Sequence, residues 1–399
     1  MTGAGFNRIF LTVLDSFGVG EAPDAHKFGD CGANTLGNVL KRVPGTALPN
    51  FEKLGLGNIG TFKGLPANPN LTGLAGKMAE VSDGKDTTTG HWEMMGLVID
   101  HGFPLYPDGF PRELMEQFER EIGRKTLGNK PASGTEIIKE FGLEHERTGA
   151  PIIYTSGDSV FQVAAHESVI PLDEIYHICE VARRLCVHPY NVARIIARPF
   201  TGSYPNYERT PHRHDYSVSP PEKTLLDYLG PRGITTYGIG KIHDIFNGHG
   251  VEKSTRTNDN EDGCNVLLKH IQEVPAGSFV FTNLVDFDQK YGHRSDPVGY
   301  ARALVHYDSF MPRLFAAMKP TDLFLMTADH GCDPTDESTD HTREYVPILG
   351  WSPSFKHGKE LGIRNSFNDL GRTIADLYEV DVLNRGVSFA DEIVKGCRE

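Results

Sequence analysis

Apolar positions along the chain fall into two patterns, short uninterrupted runs and longer stretches in which they are spaced. Arg8-Ile9-Phe10-Leu11-Thr12-Val13-Leu14 is β-rich and nearly all apolar, and it stops at Asp15. A run without alternation is what a strand buried on both faces shows, so it predicts a central parallel strand with Asp15 at its carboxyl end. Runs of the same kind predict strands at Gly233 to Ile239, Ser278 to Val285, Leu323 to Met326 and Val346 to Gly350. Helices are predicted between them, one entered at Asn34-Thr35-Leu36-Gly37-Asn38, one over Thr224 to Leu229 and one over Asp369 to Tyr378. This rhythm predicts an α/β fold, and open α/β sheets bind their ligands outside the carboxyl ends of the strands.

The character changes between about His101 and Pro221. Pro and Gly punctuate both ends, at Phe103-Pro104-Leu105-Tyr106-Pro107 and at Ser219-Pro220-Pro221, as crossing points into and out of an inserted domain would. The expected division is a core of residues 1–100 and 222–399 and an insertion of residues 101–221. Inside the insertion, Pro151 to Asp158 reads as β, Leu172 to Leu185 as a helix, and Val192 to Pro199 as a strand with Arg194, Ile196 and Arg198 on one face. A basic stretch with Arg209, His212, Arg213 and His214 follows, and Arg pairs suit bidentate recognition of phosphate.

Composition narrows the class. The chain has 399 residues, 39% hydrophobic and 23% charged, and no apolar run approaches the roughly 18 residues of a membrane span. The apolar stretch Ile9 to Leu14 ends at Asp15 and lacks the shape of a signal peptide. Six Cys without CxxC spacing point to reduced thiols in a cytoplasm, with Cys332 as a small filler beside its loop. A formal charge of −13 opposes binding to nucleic acid or anionic membranes, so a phosphate site must create its own positive potential from metal ions and a few Arg or Lys residues.

Three apolar runs end in acid, at Asp15, at Asp286 or Asp288, and at Asp329, and His293, His330 and His341 follow closely. Carboxylates and imidazoles in this number suit borderline divalent ions, and six or more ligands imply two ions. Gly18 and Gly20 read as turn formers, and Gly331 as the residue that lets the backbone turn after Asp329-His330. Asp83 to Glu93 reads as a loop feeding a helix, with three threonines, Thr87 to Thr89, at the entry. Such hydroxyls either cap the helix or supply a nucleophile beside backbone N–H groups that receive an oxyanion. Lys241 sits past a strand end, within reach of a substrate phosphate, although the Walker A spacing is absent.

Several strings carry a resemblance: Asp15-Ser16-Phe17-Gly18-Val19-Gly20, Lys85-Asp86-Thr87-Thr88-Thr89-Gly90-His91-Trp92-Glu93, Val285-Asp286-Phe287-Asp288, Thr327-Ala328-Asp329-His330-Gly331 and Asp340-His341-Thr342-Arg343-Glu344-Tyr345. Over nearly its whole length the chain resembles the bacterial phosphopentomutase family of the alkaline phosphatase superfamily. The resemblance implies an alkaline-phosphatase-like α/β/α core, with a mainly β central sheet flanked by helices, plus a smaller inserted α/β cap domain. It implies interconversion of ribose 1-phosphate, or its 2-deoxy form, with the 5-phosphate, using two Mn²⁺ ions. One ion would be held by Asp288, His293 and His341, the other by Asp15, Asp329, His330 and the nucleophile Thr87. Thr87 is chosen because superfamily mutases place the nucleophile three residues before the Gly of the Gly-His pair. Thr88, Thr89 and Asp286 would support these groups. Ser156 and Asp158 would meet ribose hydroxyls, and Arg194, Arg209 and Lys241 would grip the distal phosphate. The implied route is intermolecular, through phospho-Thr87 and a 1,5-bisphosphate, primed by a pentose or hexose bisphosphate. The closest rival is a metal-dependent phosphatase or phosphodiesterase on the same scaffold. A non-catalytic binder of sugar phosphates is a second rival, and the complete ligand set argues against it.

Overall fold

The computed structural model describes residues 5–156, 159–381 and 385–397. The chain divides into two compact units, Met1–Gly102 with Pro220–Glu399, and Phe103–Ser219. In chain order the larger unit contributes strands β1 (Arg8–Leu14) and β2 (Leu74–Met78). The smaller unit contributes β3 (Leu127–Pro131), β4 (Ile152–Thr155), β5 (Val160–His166), β6 (Arg194–Ser203), β7 (Asn206–Arg209) and β8 (His214–Ser217). The larger unit then resumes with β9 (Thr235–Ile239), β10 (Lys253–Thr255), β11 (Ser278–Leu284), β12 (Asp322–Thr327), β13 (Val346–Trp351) and β14 (Lys359–Arg364).

The eight strands of the larger unit form one sheet in the order β10-β9-β11-β1-β12-β13-β2-β14. Only the two pairings of β13 are antiparallel, so β13 alone runs against the other strands. Every residue of β1, β11 and β12 is buried, which is why their sequences show no alternation. The fully buried Ile9, Phe10 and Leu11 each contribute about 1.5–3 kcal/mol of transfer free energy relative to exposure. At the other end of β1, Arg8 pairs with Asp322 through two hydrogen bonds of 2.8 and 2.5 Å. Its Nη1 donates to Ile271 O and Val274 O, so each guanidinium nitrogen has a partner. The expected helix entry at Asn34 is present: its side chain accepts from Gly37 N at the head of the helix Thr35–Arg42.

This topology sends Lys241, Asp288, Asp15 and Asp329 off the same edge, because β9, β11, β1 and β12 are adjacent and parallel. Two successive antiparallel pairings make β2 parallel to β12, so β2 also exits there, toward Thr87. Strand β2 has no apolar run to announce it. Its central Gly76 is dictated by the neighbouring strand, since a Cβ there would lie 2.9 Å from Gly362 O.

In the smaller unit the sheet runs β3-β4-β5-β6-β7, with β8 also on β6. Helices Arg112–Ile122 and Leu172–Leu185 bury one face against Ile153, Phe161, Val163, Ile195 and Ala197. Helix Gly134–Thr148 covers part of the other, against Ile152, Tyr154, Ala164, Phe200 and Tyr207. Arg194, Ile196 and Arg198 alternate with the buried Ile195 and Ala197 and so share a face, as their spacing in sequence requires. No described helix is long and apolar enough to cross a membrane.

Candidate metal centre

Asp15 directly follows β1. Ser16 then adopts a left-handed conformation, φ 72°, which is uncommon for a residue with a side chain. The conformation aims Ser16 N at Asp329 Oδ1, 3.0 Å away, and the Tyr300 hydroxyl holds it by donating to Ser16 O at 3.1 Å. Past β11 the chain enters a wide π-helical turn, Phe287–Tyr291, and then a tight turn, Gly292–Arg294. Together these bring Asp288 Oδ2 to 3.3 Å from His293 Nε2. An antiparallel bridge between Gly331 and Thr342 folds the following loop back on itself, leaving the His330 and His341 rings 3.9 Å apart.

Thr87 opens the helix Thr87–Met94, and the residue that caps this helix is Asp86, which accepts from Thr88 N and Thr89 N at 3.0 and 3.2 Å. The Thr89 hydroxyl donates to the same carboxylate. The threonines therefore do not cap, and Thr87 Oγ1 stands 3.2 Å from His330 Nε2. Gly90 lets this helix lie against the Asp329 backbone, where a Cβ would come within 2.2 Å of Asp329 O. Buried Glu93 accepts from Val81 N, Ser82 N and Phe367 N, fixing the loop that leads to Thr87. Arg343 reinforces that loop through Glu80, Ser82 O and Gly84 O.

Two glycines owe their place to something other than turning. Gly20, at φ 118°, is the turn residue expected. Gly18 and Gly331 are not at positive φ; a Cβ on either would lie within 2.4 Å of the Glu344 carboxylate. Buried Glu344 accepts from Gly20 N, Thr35 N, Thr35 Oγ1 and Thr342 Oγ1, and burial raises its pKa to about 7 despite those bonds. The two glycines make room for this carboxylate.

The ligand atoms fall into overlapping groups. Asp15, Asp329 and His330 form one, Asp288, His330 and His341 another, and Asp288, His293 and Cys332 a third. Neighbouring atoms stand 3.6 Å apart for Asp15 Oδ1 and His330 Nε2, 3.4 Å for Asp329 Oδ2 and His330 Nε2, and 3.4 Å for His341 Nε2 and Asp288 Oδ1. Two ligands each about 2.1 Å from a common ion stand roughly 3.0–3.4 Å apart; the two 3.4 Å spacings fall in that range, and the one to Asp15 is slightly wider. Among the described residues, Asp15 Oδ1, Asp288 Oδ1, Asp329 Oδ2 and His341 Nε2 are buried without a hydrogen-bond partner. Donor atoms of this kind are costly to bury unless a cation receives them. The residues present therefore fit divalent metal.

The electrostatics agree. Burial, with the charges of Asp329 and Asp288, pushes the Asp15 carboxyl well above its ordinary value, and Lys241 and Asn283 offset part of this. Burial would also raise Asp329 and Asp288. His330 and His91 bring Asp329 down to about 2, and His341 and His293 hold Asp288 well below the usual range. Burial alone would lower His341, but Asp288 raises it to about 10. Burial and like charge thus weigh most on the Asp15 carboxylate, where a cation would relieve both.

Other expected residues lie elsewhere. Asp286 exchanges hydrogen bonds with Asn260 and pairs with Lys290, behind the ligand groups. Lys241 acts electrostatically on Asp15 from the end of β9. Ser156 ends β4 and Arg194 begins β6, while Arg209 reaches the Tyr154 hydroxyl at 3.5 Å; all three belong to the smaller unit. Asp158 lies outside the described residues. Cys332 Sγ donates to Asp340 O at 3.5 Å, and burial drives its pKa far up. His293 Nδ1 is taken by Thr339 O at 2.6 Å, which leaves its Nε2 toward Asp288. Three participants went unread in the sequence: Asn283, which donates to Asp15 Oδ2 at 2.9 Å, His91, whose Nδ1 is 2.8 Å from Thr87 O, and Glu344.

A mainly parallel sheet with overlapping donor groups at its carboxyl edge is the architecture of a metalloenzyme with the alkaline-phosphatase-like fold, and residues 7–382 match the model of the Metalloenzyme superfamily. Within that class the relatives are specific. Phosphopentomutases of Kosmotoga olearia and Caldanaerobacter subterraneus are 53% and 55% identical, each over 97% of this chain and over 100% and 98% of their own length. That of Thermotoga maritima is 54% identical over 97% of this chain and 99% of its own. The chain belongs to the phosphopentomutase family.

Proposed function

We propose that this chain interconverts α-D-ribose 1-phosphate, or 2-deoxyribose 1-phosphate, with the 5-phosphate, as an isomerase of the intramolecular phosphotransferase class. The observation that carries this reading is the position of Thr87. Its Oγ1 lies 3.2 Å from His330 Nε2, at the first residue of a helix and beside the buried donor atoms of Asp15 and Asp329. The relatives' name supplies the substrate class.

Two Mn²⁺ ions are proposed, one with Asp15, Asp329, His330 and Thr87, the other with Asp288, His293 and His341. When bound, such ions lower the pKa of a hydroxyl and offset the charge of a transferring phosphoryl group. Thr87 provides the oxygen that carries the phosphoryl group between substrates. In the forward direction phospho-Thr87 donates to the free hydroxyl of a pentose monophosphate: the Thr Oγ–P bond breaks as the new P–O bond forms, and the hydroxyl proton departs. The resulting 1,5-bisphosphate turns over and returns its other phosphoryl group to Thr87. A pentose or hexose bisphosphate primes the cycle. Lys241 is proposed to attract substrate phosphate, and the resemblance alone assigns Ser156, Asp158, Arg194 and Arg209 to the sugar phosphate. Reduced Cys31, Cys179, Cys186, Cys264 and Cys332 suit a cytoplasmic setting.

The test supplies ribose 1-phosphate, a catalytic amount of bisphosphate and Mn²⁺, and follows the products. Ribose 5-phosphate is expected; release of mostly free phosphate would favour a phosphatase. Thr87→Ala should lower turnover at least about 10³-fold and abolish the added phosphoryl mass seen after incubation with bisphosphate. Full activity in that variant would remove Thr87 from the mechanism.

A further inference from the structure

We infer that His91 and Asn283 form a positioning pair that selects which oxygen of Asp15 faces the ion and fixes the peptide of Thr87 in the same act. The inference rests on the proposed reading of Asp15 and Asp329 as ligands of one ion. Both residues are buried, His91 at 0% and Asn283 at 1% exposure. His91 Nδ1 is 2.8 Å from Thr87 O and 3.3 Å from Asp329 Oδ2. Its Nε2 is 3.4 Å from Asn283 Nδ2, and the same amide nitrogen is 2.9 Å from Asp15 Oδ2.

The donors decide the direction of this chain. A carbonyl and a carboxylate can only accept, so the His91 proton is on Nδ1 and Nε2 is an acceptor. The amide of Asn283 has two N–H groups, enough for one to Asp15 Oδ2 and one toward His91 Nε2. With Asp15 Oδ2 engaged by Asn283, Oδ1 is the oxygen left without a hydrogen bond; on Asp329 it is Ser16 N, outside the pair, that engages Oδ1, while Oδ2 lies 3.3 Å from His91 Nδ1. Asp15 Oδ1 and Asp329 Oδ2 are the two oxygens that converge on His330 Nε2. The pair thus leaves one Asp15 oxygen pointing at His330 Nε2, and it is anchored on the helix turn that presents Thr87. The Asp288 group shares no member of this network; His293 is oriented by the backbone carbonyl of Thr339. Outer partners of this kind typically account for 10–100-fold in metal affinity.

The pair is tested with the full-length chain, stripped of metal and titrated calorimetrically with Mn²⁺. Two ions per wild-type chain are required by the proposed function, and any other number refutes that reading independently of the pair. In a His341→Ala background, which retains the Asp15 and Asp329 ion, Asn283→Leu should weaken binding about 10–100-fold. In an Asp329→Ala background the same substitution should leave the remaining ion within about twofold, because the two changes no longer share a ligand. His91→Asn, whose amide N–H stands where Nδ1–H stood, should bind the first ion more tightly than His91→Gln, whose amide reaches only the Nε2 position. Asn283→Asp, of the same shape but without the donor, replaces Asn283→Leu should the latter not fold. Equal weakening in both backgrounds, no weakening in either, or identical behaviour of the two His91 variants would overturn the positioning role.

Discussion

The two halves of the proposed metal centre are built in different ways. Asp15, Asp329 and His330 sit just past the ends of neighbouring parallel strands, with side-chain exposures of 2, 0 and 1%. Asp288, His293 and His341 come from a wide turn and a returning loop, with exposures of 8, 29 and 11%. In the first half, backbone and side-chain donors hold one oxygen of each carboxylate. In the second, His293 is oriented by Thr339 O, and the His341 ring rests against those of its neighbours His293 and His330. Strand ends give a rigid, dry half; loops give a more accessible one.

The most severe way to break this comparison is to delete one ligand from each half. Asp329→Ala and His341→Ala should each lower turnover at least about 10³-fold, yet each should lose a different single ion, as counted by metal analysis of the purified protein. Loss of the same ion in both variants would show that the halves are not separate. His330, whose Nε2 is within reach of both groups, should be the exception and cost both ions.

A smaller effect should come from the carboxylate behind both halves. Glu344 binds the loop after β1, the head of the helix Thr35–Arg42 and the Gly331–Thr342 bridge, so Glu344→Gln should destabilise the fold at pH 5 by about 1–3 kcal/mol in urea unfolding. Its folded pKa is raised to about 7. A raised value means that the group's contribution is fully present below the unfolded value near 4.5 and is lost as pH rises through about 7. The deficit of Glu344→Gln relative to the parent chain should therefore shrink from pH 5 to pH 8. A deficit that grows over this range would contradict the burial argument.

The mildest test leaves the sequence unchanged. When the Mn²⁺-loaded chain is treated with a chelator, the ion at Asp288, His293 and His341 should leave first, by roughly tenfold in rate, equivalent to about 1.4 kcal/mol in the opening step. Simultaneous release would show that the exposed imidazoles open no faster than the strand ends.

Sequence made the rigid half legible and the network behind it much less so. Apolar runs buried on both faces announce β1, β11 and β12, and the acids that end them stand out against the apolar background. Asn283 is equally close to the centre but lies inside the β11 run, where a single polar residue reads as an interruption. Glu344 lies three residues beyond His341, and its partners Gly20 and Thr35 are more than 300 residues away, a pairing that no local pattern encodes. The smaller unit was read least completely. The partly exposed β3, with Gly and Pro in its five residues, and the short exposed β7 carry no period-2 signal of an inward face. Of the glycines, only those at positive φ could be assigned by turn chemistry; the reason for Gly18 and Gly331 is a carboxylate that arrives from the far end of the chain.

The π-helical turn at Phe287–Tyr291 has a consequence for how such a chain can vary. Successive residues of an α-helix are about 100° apart, and a π turn accommodates one residue more than an α turn. Removing any one residue between Asp288 and His293 would swing these ligands out of register, whatever amino acids remained. This segment is constrained by its length more tightly than by its spelling. Substitutions at Gln289 or Lys290 should be accepted far more readily than a one-residue gap, although surface segments elsewhere commonly lengthen and shorten at little cost.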